Sequence, residues 1–304
     1  MTSRALILLF YTPSLHITFS FIFDENAIMK PPFSLSALAL LRVITAAVHG
    51  GSVGSTITLG DGVITGNNRD SAGILSFKGI PYARPPVGDL RWTSPIPPAK
   101  WTARNATQFG YSCWNNLVGG PRYTPYNEDC LTINVWTGAS QTTEKRPVMV
   151  WIYGGGFQFG ATANPLYDGS ALAQQGVILV SLNYRLGVFG FLGLEELDKE
   201  GHQSGDFGLQ DQLAGLRWVQ QNIAAFGGDP KNVTIFGESA GSHSVGILMA
   251  SPLSQNLFQK AIMESGAWWD RSHGSLTTFA EARQYGLEIG RASCRGRVWI
   301  KCRS

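Results

Sequence analysis

The stretch Phe226–Gly241, "FGGDPKNVTIFGESAG", decides the fold. Its "NVTIF" run (232–236) is β-branched and aromatic, so it reads as a strand. The "SAGSHSVGILMAS" that follows reads as a helix. Between them, Gly237-Glu238-Ser239-Ala240-Gly241 fits G-x-S-x-G. A serine on so sharp a strand-to-helix turn takes a near left-handed conformation. Side chains two residues either side would clash there, and glycine avoids the clash. The turn lifts the Ser239 hydroxyl above the sheet, and the Ala240 N–H, opening the helix, can face a developing oxyanion. The alternative is an ordinary tight turn with a buried serine.

Working outward, the flanks are α/β in character. "STITLGDGVITG" reads as a hairpin about Gly60-Asp61-Gly62. "LTINVW" (131–136) alternates like a strand. "PVMVWIY" (147–153) and "GVILVSLNY" (176–184) are continuous apolar runs, as expected of strands buried on both faces. "FKGIPYARPPVGDLRW" (77–92) is punctuated by Pro and Gly and reads as loop with a short strand. Leu209, Leu213, Leu216, Val219 and Ile223 recur at helical spacing, predicting an amphipathic helix closed by Gly227-Gly228. "LFQKAIMESG" (257–266) carries a further strand. Strands alternating with helices predict a mostly parallel central sheet flanked by helices.

The bulk numbers fit one sizeable core: 304 residues, 44% hydrophobic and 15% charged. The net charge of +3 belongs to the ends. Residues 291–304 hold five basic residues and no acid, and residues 1–47 hold three basic and two acidic ones. That leaves sixteen basic against nineteen acidic residues in 48–290, so no basic face argues for a nucleic-acid partner. Four cysteines allow three pairings. Cys113 and Cys130 fall in the folded region and are either a bridge or two buried thiols.

At the N-terminus, Met29–Ala47 has a Met-Lys start, an apolar run and Thr45-Ala46-Ala47, the pattern of a signal peptide cleaved near Ala47. Residues 1–28 are then expected to be a spurious extension. The uncharged run Ala5–Phe23 offers a signal-anchor as the alternative. No stable membrane span is expected, and both readings place the domain in an oxidising compartment, secreted in the first. Asn105-Ala106-Thr107 is a glycosylation acceptor pattern. Asn232-Val233-Thr234 also fits but enters a buried strand and is discounted.

A second functional piece is "YGGGFQFG" (153–160), directly after an apolar strand. Three glycines let the backbone present unobstructed N–H groups. A phosphate cradle is the alternative, although nothing matches G-x-x-x-x-G-K-[ST]. Beside the serine turn, the loop reads as the remainder of an oxyanion hole.

Taken with "FKGIPYA" (77–83), "PPVGDLRW" (85–92), "EDCLTINVW" (128–136), "VWIYGGGF" (150–157) and "NYRLGVFGFL" (183–192), the chain resembles the type-B carboxylesterases of the cholinesterase-like α/β-hydrolase group. The resemblance covers roughly residues 55–287. It implies an α/β-hydrolase fold, Ser239 as nucleophile, and Gly155, Gly156 and Ala240 as oxyanion donors. It also implies a Cys113–Cys130 disulfide and Glu238 as an electrostatic neighbour of the triad histidine; the alternative for Glu238 is a solvated turn residue. It implies hydrolysis of a small-molecule or lipid ester through an acyl-enzyme, with neither metal nor other cofactor. A non-catalytic binding or adhesion domain of the same group is the alternative, disfavoured by the intact Ser239.

In α/β-hydrolases the chain order is Ser, then Asp or Glu, then His, and in this group the last two lie far downstream. Residues 48–287 therefore read as the N-terminal part of a catalytic domain, C-terminally truncated. His16, His49, His202, His243 and His273 are all expected to be surface or structural, with His243 packing beneath the turn. Residues 288–304 break the pattern, resemble a translated sequencing adapter, and are expected to be a non-native tail. Trp114, Trp268 and Trp269 are candidates for either a substrate pocket or core packing.

Overall fold

The hairpin expected about Gly60-Asp61-Gly62 forms as β1 (Thr56–Leu59) and β2 (Gly62–Thr65), paired antiparallel, with the short β4 (Ala103–Asn105) added parallel to β2. Gly62 is required at its corner. At φ +144° a Cβ there would stand 2.0 Å from the Trp101 carbonyl oxygen. The computed structural model describes residues 51–115, 123–201, 204–266 and 278–295. The leader, the run Ala5–Phe23, His16, His49, His202, His273, Trp268, Trp269, Cys302 and the side chain of Cys294 lie outside the described residues.

The central sheet has six strands: β3 (Leu75–Pro81), β7 (Thr132–Thr137), β8 (Arg146–Ile152), β9 (Ile178–Leu182), β10 (Gly228–Glu238) and β11 (Lys260–Glu264). Their spatial order is β11-β10-β8-β9-β7-β3. The pairs β11–β10, β10–β8 and β8–β9 are parallel, while β9–β7 and β7–β3 are antiparallel. The continuous apolar reading of 176–184 holds, since every residue of β9 is buried. A residual pair, β5 (Ser112–Cys113) with β6 (Tyr126–Asn127), stands beside the sheet.

The helices are α1 (Ser170–Gln174), α2 (Gly187–Phe191), α3 (Glu195–Lys199), α4 (Phe207–Asn222), α5 (Ala240–Ala250) and α6 (Phe279–Arg295). The helix expected from Leu209 to Ile223 is α4, but the α-helical part stops at Asn222. The chain tightens into a 3₁₀ turn over Ile223–Phe226, and Gly227 at φ +83° ends it. Nor is α4 simply amphipathic. Asp211, Gln212, Gly215 and Trp218 are buried alongside the leucines, because the helix is enclosed on most sides. Gly215 lets it lie on β9, where a Cβ would meet Leu182 Cδ2 at 2.8 Å. One large apolar cluster runs from the hairpin through the sheet to α4 and α5. Among the described residues, no helix is long and apolar enough to cross a membrane.

Candidate active site

Ser239 stands between the last residue of β10 and the first of α5, at φ 54° and ψ −120°. Few L-residues tolerate that region, and such strain persists only where the surroundings over-determine it. The surroundings here are backbone. A Cβ on Gly237 would lie 2.6 Å from the Gly241 carbonyl, and one on Gly241 only 2.0 Å from the Ile152 oxygen at the end of β8. Both glycines of G-x-S-x-G are therefore fixed by close approach, as the sequence suggested. The Ser239 N–H donates to the Glu264 carbonyl at 2.9 Å, and the Ser239 carbonyl accepts from the His243 N–H at 3.0 Å.

The glycine loop leaves β8 and runs directly past this turn. A Cβ on Gly154 would lie 2.5 Å from the Glu238 oxygen and 3.1 Å from Ser239 Cβ. Gly155 and Gly156 have φ of +108° and +61°, open to glycine and strained for other residues. The start of the loop is anchored by a stacked pair, Tyr153 and Tyr184, with ring centroids 4.5 Å apart. The Tyr184 hydroxyl donates to the Tyr153 carbonyl at 2.7 Å.

Ser239, Glu238 and Gly154–Gly156 open into one cavity of about 480 Å³, a size suited to a small organic ligand. Its remaining walls come from two stretches of chain, Ser112, Asn115, Tyr123 and Tyr126 in one and Phe159–Ala161, Asn164 and Tyr167 in the other. Glu238 is thus a half-buried lining residue. Tyr167 feels it: burial pushes the Tyr167 hydroxyl up, and the Glu238 charge adds to the rise. Ala240 is buried at the start of α5, where first-turn N–H groups lack helical partners.

Cys113 and Cys130 are joined as a disulfide. The loop they close supplies Asn115, Tyr123 and Tyr126 to the cavity wall. Trp114 does not reach it. Its side chain is 47% exposed, tilts onto Tyr126, and borders a small separate cavity beside the disulfide, so it is neither core nor lining. His243, the fourth residue of α5, is half-buried and does not line the cavity.

Three contributors escaped the sequence reading. Asp211 is fully buried and binds Arg185 three times, through its backbone N–H (3.0 Å), Nε (2.8 Å) and Nη2 (2.8 Å). Burial pushes the Asp211 carboxyl up, opposed by Arg185. Asn183 lies at the centre of a buried amide–hydroxyl network. A helical position carrying an acid, or a strand end carrying an amide, gives no sign of a partner 20 or more residues away.

A profile of the carboxylesterase family matches residues 54–301. The chain belongs to the carboxylesterase family. It is 47% identical over 222 residues to fumonisin B1 esterase of Sphingopyxis macrogoltabida, covering 71% of this chain and 40% of that protein. It is 53% identical over 203 residues to para-nitrobenzyl esterase of Bacillus subtilis (strain 168), covering 64% and 40%. Mouse cholinesterase is 47% identical over 206 residues, covering 64% and 34%. Among solved structures, a thermophilic PNB esterase superposes with a TM-score of 0.71 at 44% identity, over 78% of this chain and 48% of that one. The fold is the α/β-hydrolase fold of these esterases. The carboxylesterase chain described here spans about two-fifths of the length of the curated relatives it matches.

Proposed function

We propose that this chain carries the nucleophile and oxyanion-hole portion of a serine-dependent carboxylic-ester hydrolase. The observation behind the reading is Ser239, held at φ 54° against the glycine loop in a cavity of small-molecule size. Ser239 Oγ attacks the ester carbonyl carbon, and the N–H groups of Gly155, Gly156 and Ala240 receive the oxyanion. Expulsion of the alcohol leaves an acyl-enzyme, which water hydrolyses. One such donor is typically worth about 3 kcal/mol in the transition state. Glu238, in the cavity beside the nucleophile, places a negative charge where an imidazolium would be stabilised.

The acid and histidine of the triad are assigned to sequence beyond position 304, in keeping with the coverage of the relatives. Without a base the hydroxyl remains a weak nucleophile. These 304 residues alone are therefore expected to fall several orders of magnitude short of full activity. The substrate is a small-molecule or lipid ester. The disulfide and the Met29–Ala47 pattern support secretion. Asn105 is the proposed glycan acceptor. It lies exposed on β4, and its Oδ1 accepts from both the N–H and the hydroxyl of Thr107, at 2.9 and 2.7 Å. Asn232, by contrast, is half-buried with its Oδ1 on Lys260 Nζ at 2.7 Å.

A fluorophosphonate probe tests the reading. The full-length gene product should label at Ser239, and Ser239→Ala should not. A folded product that fails to label would refute the hydrolase assignment.

A further inference from the structure

Asn183, the residue immediately after β9, is 2% exposed and hydrogen-bonds residues that adjoin two stretches lining the Ser239 cavity. On one side its Oδ1 accepts from the Thr162 N–H at 2.9 Å and from the Thr162 hydroxyl at 3.1 Å. Thr162 follows Ala161, a lining residue. The same hydroxyl accepts from Asn134 Nδ2 at 3.0 Å, which fixes its direction of donation. On the other side, Asn183 Nδ2 donates to the Tyr111 carbonyl at 2.9 Å. Tyr111 precedes Ser112, whose N–H and hydroxyl bind the segment around Tyr123 and Tyr126 through Pro125 (3.0 Å) and Thr124 (2.8 Å).

The backbone of Asn183 is equally constrained. Its N–H donates to the Thr132 carbonyl at 3.0 Å, and its carbonyl accepts the Tyr82 hydroxyl at 2.6 Å. The next residue, Tyr184, anchors the glycine loop through Tyr153. The end of β9 is therefore a rigid post. An amide supplies a donor and an acceptor at once from one short side chain, as these two partners require.

We propose that Asn183 is a positioning and specificity-determining residue, setting the spacing of the two cavity walls and hence selection among esters by size. The inference rests on Ser239 being the nucleophile of an esterase. p-Nitrophenyl benzoate carries a ring on each side of its carbonyl and must contact both walls, whereas the acetate of the same phenol carries a ring on one side only. Asn183→Asp keeps the acceptor for Thr162 but can serve the Tyr111 carbonyl only by taking up a proton, and as a carboxylate it leaves that carbonyl unpaired. Buried polar networks respond strongly to one mismatched member.

The test compares p-nitrophenyl acetate with p-nitrophenyl benzoate in the full-length gene product, each rate normalised to Ser239 sites titrated with a fluorophosphonate. Asn183→Asp should lower kcat/KM for the benzoate about tenfold, mainly through KM, while the acetate stays within about threefold. Thr162→Val, which keeps the shape and the donor to Tyr111, should shift the ratio in the same direction by less. If both variants lower the titratable fraction or the melting temperature but leave the benzoate-to-acetate ratio unchanged, Asn183 is merely structural and the inference is overturned. Failure of the parent protein to label at Ser239 would instead remove the esterase reading, and the inference with it.

Discussion

Gly241→Ala separates the geometric account of the serine turn from one based on helix preference. Gly241 is the second residue of α5. On propensity alone, alanine there should stabilise by about 1 kcal/mol. The geometry demands the opposite sign. The new methyl would stand 2.0 Å from the Ile152 carbonyl oxygen and 2.9 Å from its carbon, and both belong to the backbone at the end of β8, an interior strand. Ordinary contact begins near 3.4 Å, so β8 and α5 must separate by more than an ångström. Overpacking against side chains costs roughly 1–3 kcal/mol. A backbone obstacle that cannot rotate away belongs at or above the top of that range, so the net effect should be a loss of at least about 2 kcal/mol. Gly156→Ala is the control. Its φ of +61° costs about 1–2 kcal/mol, but its Cβ would meet nothing within 4 Å. Urea denaturation of the full-length product should rank Gly241→Ala as the more damaging of the two. Fluorophosphonate labelling should also slow more in Gly241→Ala, because the shift moves Ser239 itself. A Gly241→Ala protein as stable as the parent and labelled at the same rate would refute the close-approach argument.

Two further outcomes follow from the ion pairs. Asp211→Asn removes the charge opposite Arg185, whose side chain is 4% exposed, and should destabilise by roughly 3–5 kcal/mol; calorimetry reads it, and a change under 1 kcal/mol would show the pair to be dispensable. The Asp198 carboxyl is held below the ordinary carboxylate range by the Ser204 N–H and then by Arg283 of α6. A depressed carboxylate stabilises above its unfolded pKa of about 4 and loses that contribution as pH falls through its lower folded value. Amide exchange should therefore show α6 loosening at about pH 3 relative to pH 7. That difference should vanish in Asp198→Asn.

What could be read from the sequence were features with a signature confined to a short stretch of chain. Gly237 and Gly241 are marked by the motif itself, although the obstacle that fixes Gly241 is Ile152 of β8. Gly62 is marked by the Gly60-Asp61-Gly62 turn at the start of β2, although the obstacle to a Cβ there is Trp101. The buried character of 176–184 shows in composition alone. What stayed hidden depends on distant partners. Asn183 binds positions 21, 72 and 101 residues away, and Arg185 meets its acid 26 residues on. An amphipathic pattern on α4 correctly placed Leu213 and Leu216 in the core, while Leu209 is half-buried. It could not show that Asp211 and Trp218 would be buried too, because that depends on what covers the outer side of the helix. Trp114 illustrates the converse: aromatic character suggested pocket or core, and the side chain is instead 47% exposed against Tyr126.

The nucleophile is held by elements of unequal strength. On one side is β8, an interior strand, whose Ile152 oxygen fixes Gly237 and Gly241. On the other is β11, which ends the sheet among the described residues and has Ile262 and Met263 43% and 41% exposed. Yet β11 supplies the acceptor for the Ser239 N–H through the Glu264 carbonyl. The next two residues press close as well. Ser265 is left-handed at φ 53°, and a Cβ on Gly266 would lie 2.7 Å from the Ser239 oxygen. Local opening is governed by buried apolar contact and by backbone bonds shielded from water, and an edge strand with exposed side chains has little of either. The strained φ of Ser239 endures only while all its neighbours hold. Its conformation is therefore no more stable than the weaker of its two supports. Burial of Ile262 and Met263 beneath further structure would raise that limit without touching a single atom of the serine.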